Sequence, residues 1–260
     1  MKNKISFLSL LLAVMAIGIP LHSAAQVKNP ASYALLSLAG DQISMVTLGA
    51  ETGSRIDQNH KNITEVKTPV FDEATVQAAN AVIKKIQPSV TTVMLITPDQ
   101  GLYQAQNKMF DAPESNVENR AFLKSLLKDR PVTHLILITK YHSDARIQVG
   151  REAVGNGKIE GLGFYMDNVL EVLNQTTLNS GKGILAPFAY IKVRLLDAKT
   201  LELVREVTAT ESISIGNYKP EETGFAAWNI LSSSEKVTHL QKLLGLAMEH
   251  TIPKLLLDTK

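Results

Sequence analysis

The apolar and polar positions of this chain change rhythm most sharply between residues 130 and 149. Val132, Leu135, Ile136, Leu137 and Ile138 form an apolar run without in/out alternation, the mark of a strand covered on both faces. Pro131 precedes it, as proline can at the start of a strand. After Thr139 the pattern alternates. Lys140, His142, Asp144 and Arg146 interleave with Tyr141, Ser143, Ala145 and Ile147, so a continuing strand lines four ionisable side chains along one face. This segment predicts a sheet centre whose far end turns polar and reaches a functional rim.

The flanking segments supply the rest of an α/β pattern. Tyr33–Leu38 and Ile43–Leu48 predict two strands, and Gly40-Asp41-Gln42 between them predicts a hairpin turn. Residues 51–68 are polar and read as a surface loop. Asp72 is placed to cap a helix with Val76, Ala79, Ile83 and Ile86 on one face, ended by Pro88. A strand is predicted at Val90–Thr97. Ser115 and Glu118 then have capping-box spacing ahead of a helix that buries Phe122, Leu123, Leu126 and Leu127. The two helix–Pro–strand units are alike (K-I-Q-P-S-V-T-T-V-M-L-I-T and K-D-R-P-V-T-H-L-I-L-I-T), and strands fed by helices imply a partly parallel sheet.

Downstream, Gly155-Asn156-Gly157 marks a turn, and Met166, Val169, Leu170 and Leu173 have helical spacing. Residues 179–183 read as a loop. The clearest hairpin joins Ala189–Leu196 to Leu201–Ala209 through Asp197-Ala198-Lys199-Thr200. Residues 218–231 look irregular and hold the only tryptophan, Trp228. A last helix opens on the capping box Ser232–Glu235, with Leu240, Leu243, Leu244 and Ala247 on its apolar face and Pro253 near its end. The expected fold is a single α/β domain: a mixed sheet with flanking helices and a long antiparallel hairpin.

The N-terminus changes the picture of where the chain works. Lys2 and Lys4 precede an apolar Ile5–Ile19, Pro20 breaks it, and Ser23-Ala24-Ala25 offers a signal-peptidase site before Gln26. The expected organisation is therefore a signal peptide at 1–25 and one domain at 26–260, periplasmic or secreted after cleavage near Ala25-Gln26. The whole chain has 27 basic and 25 acidic residues; without the two leader lysines they balance. A neutral chain offers no electrostatic case for nucleic acid. No cysteine exists for a lipid anchor, a disulfide or a thiolate metal site.

Catalytic motifs do not assemble. Gly150, Gly155, Gly157, Gly161 and Gly163 miss the spacing of phosphate loops and dinucleotide fingerprints, and fit turns better. Gly40-Asp41 is followed by Gln42, where a Gly-Asp-Ser hydrolase needs serine. No G-x-S-x-G elbow or HExxH is present. His239 and His250 lie eleven residues apart on one helix, about 16 Å along its axis, too far to share an ion. No cofactor is expected.

Two stretches carry a family resemblance. T-H-L-I-L-I-T-K-Y-H-S-D-A-R-I resembles an apolar strand with a polar tail, and V-R-L-L-D-A-K-T-L-E-L-V (Val193–Val204) resembles a strand–turn–strand hairpin, both found in the curli-secretion lipoprotein family and the N-terminal domain of the Tol-system propeller protein. The chain departs at Leu201, where glycine is usual, and lacks both the anchoring cysteine and propeller repeats. It also resembles uncharacterised exported proteins of proteobacteria. The resemblance implies envelope assembly or transport and brings no catalytic residues.

The expected function is thus non-enzymatic binding of an envelope protein, with a second copy of the chain as another admissible partner. The candidate contact residues are Lys140, His142, Asp144, Arg146 and Tyr165. The alternative is a small-ligand-binding or hydrolytic enzyme centred on His142, Asp144 and Arg146.

Overall fold

The structure, a computed structural model, describes residues 31–48, 59–173, 178, 180–216 and 227–257. The expected signal peptide lies outside the described residues. From Ala31 onward the chain forms one compact unit. Its elements are β1 (Ser32–Ser37), β2 (Gln42–Thr47), β3 (His60–Glu65), α1 (Val70–Ile86), β4 (Thr91–Leu95), α2 (Gln100–Ala105), α3 (Lys108–Asp111), α4 (Val117–Leu127), β5 (His134–Lys140), β6 (His142–Asp144), β7 (Ile147–Val149), β8 (Glu152–Val154), β9 (Lys158–Leu173), β10 (Ser180–Asp197), β11 (Leu203–Ser212), β12 (Ile215–Gly216) and α5 (Ser233–Leu257). The α/β class is as expected: a large mixed sheet with helices on its faces.

The 18-residue β10 organises the sheet. Along one edge it pairs antiparallel with β9 from Ser180 to Tyr190 and then with β5 from Ile191 to Asp197, so those two strands meet end to end. Its other edge carries β12 and β11. Two half-sheets grow outward from this spine. In one, β1 lies between β5 and β4, parallel to both. In the other, β2 runs parallel to β9 and antiparallel to β3.

The apolar run of β5 does what its lack of alternation predicts. Ile136 and Ile138 enter a core formed with α1 and α5, whereas Leu135 and Leu137 enter a second core under α2, α3 and α4. A third core fills the other half-sheet, where Ala145, Ile147 and Ile159 cover Tyr165, Phe188 and Tyr190. The α5 capping box also forms: the Ser232 N–H donates to Glu235 Oε2 (2.8 Å) and the Glu235 N–H to Ser232 Oγ (3.4 Å).

Several expectations fail for identifiable reasons. β1 and β2 are not a hairpin; β1 is buried along its whole length as an interior parallel strand, and the Gly40-Asp41 turn carries the chain to the other half-sheet. The polar 51–68 segment includes strand β3 among its described residues. Asp72 is not a cap. Pro69 holds that position, and Asp72 sits inside the first turn of α1 with its carboxylate turned elsewhere. Ser115 falls in a 3-10 turn (Pro113–Asn116), and no side-chain cap closes α4. The last helix, by contrast, is as expected, with Pro253 near the end of α5, which runs to Leu257.

The helical spacing at Met166, Val169, Leu170 and Leu173 belongs to a strand, the second half of β9. Asp167 Oδ1 accepts the Val169 and Leu170 N–H groups (2.8 and 2.9 Å), and pairing with β10 shifts register between Lys182 and Ile184. That irregularity resets which side chains face inward, so Val172 is buried while Val169 and Leu173 are exposed. The expected 179–183 loop is consequently the start of β10 from Ser180 onward. At the β10–β11 turn Leu201 has φ +59°, a left-handed conformation that glycine adopts without a Cβ penalty and leucine does not.

Candidate functional site

The charged row arises where β5 leaves β10. The Tyr141 N–H still donates to Tyr190 O (2.9 Å), but the chain then turns to pair with the start of β9 as β6. Alternation persists through the turn: Ala145 and Ile147 are buried, and His142, Asp144 and Arg146 are exposed. Across the ladder His142 faces Glu160 and Asp144 faces Lys158. His142 Nδ1 lies 3.8 Å from Glu160 Oε2, an ion pair only when the imidazole is protonated. The Arg146 backbone is held by Tyr190, whose Oη accepts its N–H at 2.9 Å. The result is a shallow strip of alternating charge on a solvent-facing ladder.

The other two predicted residues are elsewhere. Lys140 bends away, its Nζ 2.6 Å from Asp41 Oδ1 and 3.3 Å from Gln42 Oε1. It fits because Gly161 has no side chain: a Cβ there would lie 2.9 Å from Lys140 Cγ. The pair ties the end of β5 to the turn entering β2, clamping one half-sheet to the other. Tyr165 is only 1% exposed and belongs to the core beneath Ala145 and Ile147, with its Oη accepting the Asn156 N–H (3.1 Å). Burial raises its pKa, then the Asn156 bond lowers it and the Asp167 charge raises it again. The strip and Tyr165 lie on opposite sides of one layer.

A second polar centre was invisible in the sequence. β1 and β4 are parallel neighbours; from its carboxyl end β1 turns toward β2, while β4 leads into α2. A crevice of about 150 Å³ lies there, lined by Gly40, Asp41, Thr68, Thr97, Gln100 and Tyr103 among others. At its base is Asp72, 1% exposed. Its Oδ1 accepts Ser37 Oγ–H (2.5 Å) and the N–H groups of Ala39 (3.1 Å) and Gly40 (3.0 Å), and its Oδ2 accepts the Tyr103 phenol (2.8 Å). A Cβ on residue 40 would meet the carboxylate at 2.8 Å, so this approach demands glycine.

Desolvation raises the Asp72 pKa, opposed by these four hydrogen bonds, and the Tyr103 phenol is pushed strongly upward by burial and by the Asp72 charge. Chemically the group is saturated. Ser37 is buried behind the carboxylate, and no histidine lines the crevice. Asp72 joins the end of β1 to α1 and α2.

A third cluster lies under α3. Arg194, 2% exposed, donates from Nε to Glu206 Oε2 (2.8 Å) and from Nη1 to Asn107 Oδ1 (3.0 Å) and Thr139 Oγ1 (3.2 Å), with its guanidinium 4.8 Å from the Phe110 ring centre. Burial lowers its pKa and Glu206 opposes that shift. Gln106 and Asn107 bond the backbone N–H and C=O of Lys140 (2.7 and 2.8 Å), taking the place of a neighbouring strand. Among the described residues no group of three His, Asp or Glu side chains converges as a metal site would.

Fold and geometry together define an α/β protein with a buried polar staple and an exposed charged ladder. The sequence matches no family model and no curated protein. Among solved structures it is similar to the crystal structure of lipoprotein GNA1162 from Neisseria meningitidis, at 8% identity over 84% of this chain and 97% of that one, with a TM-score of 0.28. A likeness that weak carries no argument about function. No described helix is long and apolar enough to cross a membrane.

Proposed function

We propose that this chain is a non-enzymatic binding protein of the cell envelope, exported by the leader that ends near Ala25, and that it contacts its partner through the ladder bearing His142, Asp144 and Arg146. One observation carries the reading: these three side chains are exposed at alternate positions, and His142 and Asp144 stand opposite Glu160 and Lys158. Charges so placed cost little to keep solvated and steer a partner with the complementary pattern.

The test is recovery of bound proteins from periplasmic extract by the wild-type chain and by a His142→Ala/Asp144→Ala variant. The expected outcome is loss of a salt-sensitive partner by the variant, at unchanged thermal stability. Identical recoveries would remove the assignment. N-terminal sequencing of the exported chain is expected to begin at Gln26.

A second reading, binding of a small ligand, is favoured by the crevice between β1 and β4. A compound that raises the melting temperature of wild type but not of Lys67→Ala/Gln100→Ala would select it.

A further inference from the structure

We infer that the chain self-associates by adding the free edge of β4 to the same edge of a second copy, continuing the sheet across a two-fold axis. Among the described residues β4 pairs only with β1, and it ends the sheet path. In a parallel pair alternate residues point both backbone groups away from the neighbour, so β4 presents an unpaired row. Lys84 Nζ donates to Val90 O at the strand's entrance, so pairing starts at Thr91.

The other margins differ in a way that selects β4. β3 carries His60, Lys61 and Glu65, and β11 carries Arg205, Glu206 and Glu211. Charges on an edge are the usual defence against strand addition. β4 has none, nor does any residue from Pro88 to Pro98.

That absence also indicates the occupant. Two-fold antiparallel pairing sets a strand against its own sequence reversed, so a charge on the axis meets its like. A charge-free run meets none. Thr92 Oγ1 donates to Asn80 of α1 (2.7 Å), which puts Thr92, Met94 and Ile96 on the α1 face. There Met94 is 50% exposed and Ile96 41% exposed, while Leu95, on the opposite face, joins the core under α2 and α4.

An axis through Met94 sets Met94 against its own copy, Thr92 against Ile96 and Val93 against Leu95. Each apolar side chain left open by the monomer then gains an apolar or threonine neighbour. One strand on each side buries less than a standard interface, so the dimer is weak and concentration-dependent.

The chain has no cysteine, which makes the test clean. Purified wild type is expected to shift from monomer to dimer in sedimentation as concentration rises. Met94→Lys sets two positive charges face to face and is expected to weaken the dimer by about tenfold or more, with its melting curve unchanged because the side chain is already half exposed. Met94→Cys is expected to form an intermolecular disulfide under mild oxidation. Leu203→Cys, a comparably exposed control on β11, is expected to associate as wild type does but to form no intermolecular disulfide. Three results would overturn the inference: a monomer at every concentration, association unaffected by Met94→Lys, or equal cross-linking of the two cysteines. The charged ladder shares no residue with this edge, so neither proposal falls with the other.

Discussion

Two polar centres lie near the ends of adjacent strands and behave as opposites. Asp72 is buried, and its oxygens take four protein donors; the His142–Arg146 strip is open, with His142 Nδ1 3.8 Å from Glu160 Oε2. In the first, hydrogen bonds replace water completely and the group becomes part of the scaffold. In the second, water still solvates the charges and they stay available to something else. Strong polar geometry here is the mark of architecture, and loose geometry the mark of a surface able to exchange partners.

The contrast breaks most visibly at Asp72. Asp72→Ala removes the acceptor shared by four buried donors, of which Ala39 and Tyr103 keep only long contacts to Ser37 Oγ (3.4 Å) and Thr97 O (3.3 Å), and is expected to cost ~3 kcal/mol in chemical unfolding. Arg194→Ala comes next, at about 2 kcal/mol, reduced from a fully buried pair because Glu206 is partly exposed. His134 gives a smaller, pH-dependent effect. Burial lowers its pKa, with nearby Asp197 opposing, so the folded state favours the neutral ring. Its contribution is present above the ordinary histidine pKa of about 6.5 and is lost as pH falls through the lower folded value. Stability measured downward from neutral pH is expected to decline less steeply in His134→Gln. The smallest effect belongs to the ladder, where His142→Ala/Asp144→Ala is expected to change stability by no more than about 0.5 kcal/mol. A large loss there would erase the distinction between the two centres.

What could be read in advance follows the same division. The cover on both faces of β5 was legible because Leu135–Ile138 has no polar position to offer solvent. The exposure of His142, Asp144 and Arg146 was legible because period two survived the turn after Lys140. Asp72 was not, since an aspartate ahead of an amphipathic helix looks the same whether it caps that helix or reaches back to Ser37. Tyr103 carried no local pattern at all, because its partner lies 31 residues away. The second half of β9 was misread because its bulge mimics helical spacing over four residues. Lys140 was assigned to the ladder by parity alone, and only the turn at Asp41 and the missing side chain of Gly161 show where it goes.

β10 has a bearing on how the chain comes together in time. β1 binds β5 with Tyr33 beside His134, β2 binds β9 with Ile43 beside Leu162, and the two halves join chiefly through β10, with the β6–β9 pairing and the Lys140–Asp41 pair as smaller ties. A polypeptide emerging N-terminus first, from a ribosome or a translocation channel, exposes the apolar strands near its front long before their neighbours arrive. Such distant pairings are slow to form and invite misassociation while they wait. Until residue 197 has cleared the exit the sheet has no spine, and the apolar strands that precede it wait without their neighbours.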